Sequence, residues 1–222
     1  FTQYYDVDIG RDLLNLLKKC KVNVRVIFPK ISIVAMISHG LLDEAKDELK
    51  ILHYQLNDID KNDLIVGIEP SEVLVWRDEA KNLLNSDLPN VLLFEELLLE
   101  LDLLDALPKF NAIQSKVWVY AHCHQKALTS TEVLIRAIKL IPEIQFKIIE
   151  GGCCGMAGEF GYKHAKISEK IAHNSLDSYM TKITGEDILI STGTSCRKQI
   201  LDVFDYQSQH LQKIFLESLE VG

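Results

Sequence analysis

Short β-branched runs alternate with longer amphipathic segments along this chain, and that alternation restricts its fold more than any other feature. Parallel strands joined by crossover helices bury both kinds of segment at once. Strands are predicted at Val24–Phe28, Leu64–Ile68, Val117–Ala121, Gln145–Glu150 and Ile188–Ser191. Helices are predicted near Leu41–Leu56, toward Leu84, and at Thr131–Ile141, Lys163–Met180 and Cys196–Phe204. The fold class is therefore α/β. Successive strands end about 40 residues apart both from Phe28 to Ile68 and from Glu150 to Ser191, as in a duplicated unit. The expectation is two similar βαβ-type lobes with parallel sheets, related by a pseudo-twofold axis. One spans 1–110 and the other 111–222, with a linker around Pro108–Ser115.

In parallel α/β sheets the loops that leave the carboxyl ends of the strands collect at one edge, where ligands bind. Cys123, Cys153, Cys154 and Cys196 all fall on such loops. The pair Cys153-Cys154 is flanked by Gly151, Gly152, Gly155 and Gly158. Adjacent side chains diverge unless the backbone takes unusual dihedrals, which glycine supplies while exposing amides that can hydrogen-bond a sulfur cofactor. Cys196 opens a helix, whose positive end favours a thiolate. Cys20, on a helix over Asp12–Lys19, is expected to fill core. His122 and His124 flank Cys123 as metal ligands, as donors to the cofactor, or as polar loop residues. Together with Gly152 and Gly155 they are the expected cofactor-lining positions, and the four cysteines the expected metal ligands. The spacings are far wider than in a zinc finger, and four soft thiolates suit zinc as well as an iron–sulfur cluster.

Charge excludes some partners. A net charge of -8 without a Lys/Arg cluster repels phosphate backbones and anionic lipid, so neither nucleic acid nor a membrane surface is expected as a direct partner. The apolar stretch Val91–Leu107 is interrupted by Glu95, Glu96, Glu100, Asp102 and Asp105 and reads as an acidic amphipathic helix rather than a membrane span. Five cysteines, two of them adjacent, make a poor disulfide framework and point to a reducing, cytoplasmic setting. The chain opens on Phe1 rather than Met, and is expected to be a piece of a longer protein.

Three segments carry a resemblance: Ala121-His122-Cys123-His124-Gln125-Lys126-Ala127, Gly152-Cys153-Cys154-Gly155-Met156-Ala157-Gly158-Glu159-Phe160-Gly161-Tyr162 and Thr194-Ser195-Cys196-Arg197-Lys198-Gln199-Ile200. They resemble the second cysteine-rich "CCG" repeat of bacterial FAD-linked oxidases that act on glycolate, D-lactate or D-2-hydroxyglutarate. The module is similar to one found in heterodisulfide reductase and in the iron–sulfur subunits of glycerol-3-phosphate and lactate oxidation. Ile37-Ser38-His39-Gly40-Leu41-Leu42-Asp43-Glu44-Ala45-Lys46, Gly67-Ile68-Glu69-Pro70-Ser71 and Arg77-Asp78-Glu79 are similar to the first repeat. There, however, Ile31-Ser32-Ile33 stands where the family places Cys-Cys-Gly, and Glu72 where it places a cysteine. The first metal site is expected to be lost. In the second repeat Gly193 occupies the earlier position of a family Cys-x-x-Cys, leaving Cys196 alone.

The resemblance implies an iron–sulfur electron-transfer domain of a flavin-linked 2-hydroxyacid dehydrogenase. Its cofactor would be a [4Fe–4S] cluster, with zinc or an empty site as the alternatives. FAD would lie in a separate N-terminal domain of the same polypeptide, and an acceptor such as quinone would take the electrons. The parent would be cytoplasmic, or peripheral at the inner membrane. The rival expectations are a structural zinc or metal-free module that docks a partner through the acidic helix, and a separate iron–sulfur subunit of a lactate-oxidation complex.

Overall fold

The computed structural model describes residues 4–57, 59–60, 62–86 and 88–220, apart from the side chain of Asn57. Phe1, on which the expectation of a longer parent rests, lies outside them. The chain opens with helices α1 (Val7–Lys19), α2 (Ile33–Ser38) and α3 (Leu42–Asn57). Strand β1 (Ile65–Val66), helices α4 (Pro70–Arg77) and α5 (Glu79–Leu84), strand β2 (Val91–Leu92) and helix α6 (Phe94–Leu103) follow. Then come β3 (Val117–Tyr120), α7 (Cys123–Leu128), α8 (Thr131–Ile138), β4 (Phe146–Ile148), α9 (Phe160–Lys163) and α10 (Ala165–Met180). The last elements are β5 (Ile188–Ser191), α11 (Thr194–Phe204) and α12 (Leu211–Glu217).

The class is mixed α/β with short parallel sheets, as the alternation implies. β1 and β2 pair in parallel, Ile65 opposite Val91. The second sheet has the order β4-β3-β5, parallel throughout, with Val117 opposite both Phe146 and Ile188. β3 is buried along its whole length, as a central parallel strand covered on both faces must be. Its side chains alternate: Val117 and Val119 join a core with Leu16, Leu98, Ile138 and Phe215, while Trp118 and Tyr120 face Leu176, Leu189 and Ile200. Each large apolar side chain withdrawn from water here contributes roughly 1.5–3 kcal/mol. The first core binds α1 and α6 to the second sheet, so the two halves share it.

Two expectations are corrected. Val24–Phe28 is not in a strand, and Val24, Val26 and Phe28 are exposed. β1 and β2 pair over only two residues each, a short edge for a third strand to follow; Arg25 instead reaches the carbonyl of Gln55 on α3. The segment predicted as a helix over Val91–Leu107 begins as β2, and its helix runs only from Phe94 to Leu103. That helix is amphipathic, with Glu100 and Asp102 exposed on one side. Phe94, Leu97, Leu98 and Leu101 are core, Glu95 is buried against Gln125, and Glu96 accepts from the Leu93 amide while pairing with Arg77.

Candidate metal centre

The carboxyl ends of β3, β4 and β5 deliver the four cysteines from three separate loops. Cys123 is the first residue of α7, directly beyond β3. The helix starts there because the His122 ring caps it, Nδ1 accepting from the His124 amide at 3.1 Å. Cys153 and Cys154 lie on the loop after β4, and Cys196 lies in the first turn of α11, beyond β5. Cys154 and Cys196 are buried, and Cys123 and Cys153 are exposed. Cys20 is apart from them, buried at the end of α1 in the main core as expected, with its thiol pKa raised by burial.

The thiols act on one another: Cys153 and Cys196 both raise the pKa of Cys123 and of Cys154. Thiol donation by its neighbours, helped by the Gly155 amide at 3.3 Å, drives the Cys153 pKa far below the ordinary thiol range. Cys123 is pushed up by the bond it gives to Cys153 and by burial. Cys154 is pushed up by its bonds to Cys153 and Cys196 and by burial.

The Gly-rich loop is pinned by its carbonyls. Tyr120 donates its hydroxyl to the carbonyl of Gly152 at 2.6 Å, and Lys126 donates to Gly151 at 2.9 Å. From α10, Ser175 donates to the carbonyl of Cys153 and Ser168 to that of Gly155. Gln199 of α11 holds Ser168 in place at 2.9 Å. Gly155 has φ +93°, and a Cβ there would stand 2.4 Å from the Ser168 carbonyl, so only glycine fits. None of these supports is visible in local sequence. Tyr120 and Gln199 in particular read as strand and helix residues, and only tertiary packing gives them a partner in the loop.

His122 is buried, donates its amide to Thr192 Oγ1 at 2.9 Å, and has its pKa lowered chiefly by burial. His124 meets it edge-on, with ring centroids 5.0 Å apart, and the His124 Nδ1 is buried without a hydrogen-bond partner. The two positions of the first half where the resemblance leads one to expect cysteines are themselves in contact: Ser32 donates its hydroxyl to Glu72, whose pKa burial raises.

The donor set fits a thiolate-bound metal group. Four soft donors lie on loops at one edge of the sheet, the Gly155 amide donates to Cys153, and the buried Nδ1 of His124, next to Cys123, lacks a partner. Among the described residues no group of three or more His, Cys, Asp or Glu is arranged to hold a metal ion.

No family model matches the chain. It is 28% identical to D-2-hydroxyglutarate dehydrogenase of Haemophilus influenzae, over 99% of this chain and 22% of that protein. The Escherichia coli K12 protein of the same name is also 28% identical, with the same coverage. A subunit of the anaerobic glycerol-3-phosphate dehydrogenase of Escherichia coli K12 is 22% identical over 90% of this chain and 52% of its own length. The chain thus spans about a fifth of the length of the D-2-hydroxyglutarate dehydrogenases it matches. No helix among the described residues is long and apolar enough to cross a membrane. The similarity to these dehydrogenase proteins extends over nearly the whole chain.

Proposed function

We propose that this chain is the iron–sulfur electron-transfer domain of a FAD-linked 2-hydroxyacid dehydrogenase, with Cys123, Cys153, Cys154 and Cys196 as ligands of a [4Fe–4S] cluster. The observation that supports this reading is the placement of four cysteines on three loops at the carboxyl edge of one parallel sheet, with the Gly155 amide donating to Cys153. A bound cluster supplies one-electron chemistry, which a two-electron flavin needs in order to pass its electrons singly to an acceptor such as quinone.

The chain's own residues hold and surround that group. Gly155 offers its amide to sulfur, while Gly152, fixed through its carbonyl, sets the entry of the loop. His122 caps the helix that carries Cys123, and His124 turns an unpartnered nitrogen toward the interior. Trp118, Tyr120 and Ile200 keep water from the inner side of the site, where Cys154 and Cys196 are buried, and the exposed Cys123 and Cys153 mark the side open to a redox partner. Domains 1–110 and 111–222 are two copies of one lobe in this reading, the first with Ser32 and Glu72 in place of ligands. The flavin belongs to a separate N-terminal part of the same polypeptide, and the parent works in the cytoplasm or at the inner face of the membrane.

Anaerobic iron and acid-labile sulfide analysis with visible spectroscopy tests the reading. It expects a brown protein with about four iron and four sulfide per chain; a colourless one carrying stoichiometric zinc would overturn it.

A further inference from the structure

Helix α11 carries Cys196 in its first turn, and the residue in its N-cap position is Gly193, which has no side chain with which to cap it. Nor is there space for one. A Cβ on Gly193 would stand 2.2 Å from His122 Cδ2 and 2.9 Å from Cγ of the same ring. The cap comes instead from 125 residues earlier in the chain, where Glu69 Oε2 accepts the Thr194 amide at 3.1 Å and lies 2.9 Å from the Thr194 hydroxyl.

Glu69 is buried, at 6% exposure, on the loop between β1 and α4. Its second oxygen accepts from the Ser71 hydroxyl at 3.1 Å. The Thr194 hydroxyl also meets Asp6, and having a single proton it cannot serve both carboxylates. Asp6 pairs with the Arg197 guanidinium at 2.7 Å, and Arg197 also donates to the Thr194 hydroxyl at 3.3 Å and to the Ser191 carbonyl at the end of β5. No ion pair to Glu69 occurs among the described residues, and its bonding partners there are hydroxyls and an amide. Glu69 and Asp6 thus share one guanidinium through the Thr194 hydroxyl, which leaves two carboxylates against one cation at the end of the helix that presents Cys196.

We infer that Glu69 is a positioning residue for the thiolate site: it caps α11 from the other half of the chain, and its buried charge holds down the reduction potential of the group bound there. The inference rests on the cluster reading given above. Two effects act together. A carboxylate at a helix N-terminus offsets the positive end of the dipole that would otherwise stabilise added negative charge at Cys196. A buried anion also disfavours a further electron nearby, because the surrounding protein screens it poorly.

The test uses the chain itself, metal-free and after anaerobic reconstitution with iron and sulfide. Glu69→Gln keeps the shape and removes the charge, so the reduction potential measured by redox titration should rise, whereas Glu69→Asp, which keeps the charge, should stay nearer the wild-type value. In the metal-free chain, Glu69→Ala should speed hydrogen exchange at the Thr194 amide by about tenfold, the loss of one charge-assisted hydrogen bond. An unchanged potential in loaded Glu69→Gln would overturn the tuning, and unchanged Thr194 exchange in Glu69→Ala would overturn the cap. A wild-type chain that takes up no cluster sinks the functional reading and the tuning with it, while the exchange experiment still decides the cap.

Discussion

The hydroxyl of Tyr120 donates to the carbonyl of Gly152 at 2.6 Å, tying the end of the central strand to the loop that carries the adjacent cysteines. Tyr120 is fully buried, and its hydroxyl pKa is raised by burial and then by the surrounding cysteines, so it remains a donor at any working pH. Tyr120→Phe preserves packing and deletes only this bond. Urea unfolding should show a loss of about 1–2 kcal/mol. If the loop holds a cluster, a chelator should also strip iron from the variant faster. Unchanged stability together with unchanged iron release would show that the bond does not hold the loop.

The contact between Gly193 and His122 gives a prediction of opposite kind, an atom too many. Gly193→Ala places a methyl group 2.2 Å from His122 Cδ2, so the buried ring must shift. The expected destabilisation is about 1–3 kcal/mol, as for other overpacked interiors. Removing the ring removes the clash, so the penalty for Gly193→Ala should shrink markedly in a His122→Ala background. A double-mutant cycle by chemical denaturation measures this, and strict additivity would contradict the clash.

Glu95 makes stability depend on pH. Burial is the main cause that raises its pKa to about 7, with Glu96 adding to the rise and Gln125 and Arg77 opposing it. The folded protein therefore binds a proton that the unfolded chain has lost, in the window from the ordinary carboxylate range up to about pH 7. Within that window this group's contribution to stability falls as pH rises. Glu95→Gln keeps an acceptor for the Gln125 amide and cannot ionise. Compared with wild type at pH 5 and pH 8, the variant should gain relative stability with rising pH, on the order of 3 kcal/mol in all. A wild-type-to-variant difference that stays flat across those pH values would show that Glu95 ionises freely.

What the sequence discloses here follows from how local each signal is. Ile188–Ser191 is a strand over the predicted residues, and Val117–Ala121 loses only its last residue, because a fully apolar β-branched run between loop residues has little choice in a parallel sheet. Val24–Phe28 carries the same composition, yet no ladder partner reaches it among the described residues, and partners are not written in a local pattern. The cysteines are legible as a set because strand ends gather at one edge. Their supports are not. Glu69 meets Thr194 across 125 residues, and Ser168 and Ser175 reach the Gly-rich loop from one face of a helix whose other face is ordinary surface. Helix α7 escapes a sequence reading because its cap is a histidine ring rather than one of the usual short polar side chains.

The last prediction separates thiols that hold a metal group from a thiol that fills space. Cys154 and Cys20 are both buried, at 5% and 7% exposure, so burial alone does not distinguish them. Cys20 packs with Leu13, Leu16 and Leu17 in the main core, whereas Cys154 lies on the Gly-rich loop beside Cys153, where both Cys153 and Cys196 shift its pKa. Cys20→Ser should therefore lower stability by about 1–3 kcal/mol, the cost of a hydroxyl in an apolar core, and leave iron and sulfide content unchanged. Cys154→Ser should do the reverse. Its hydroxyl can still hydrogen-bond Cys153 and Cys196, so the metal-free fold should tolerate it, while a hard oxygen replaces one of four soft donors and most of the reconstituted iron should be lost. Parallel metal analysis and chemical denaturation of the two variants give both numbers. Full iron binding by Cys154→Ser would remove Cys154 from the ligand set, and iron loss in Cys20→Ser at undiminished stability would bring Cys20 into it.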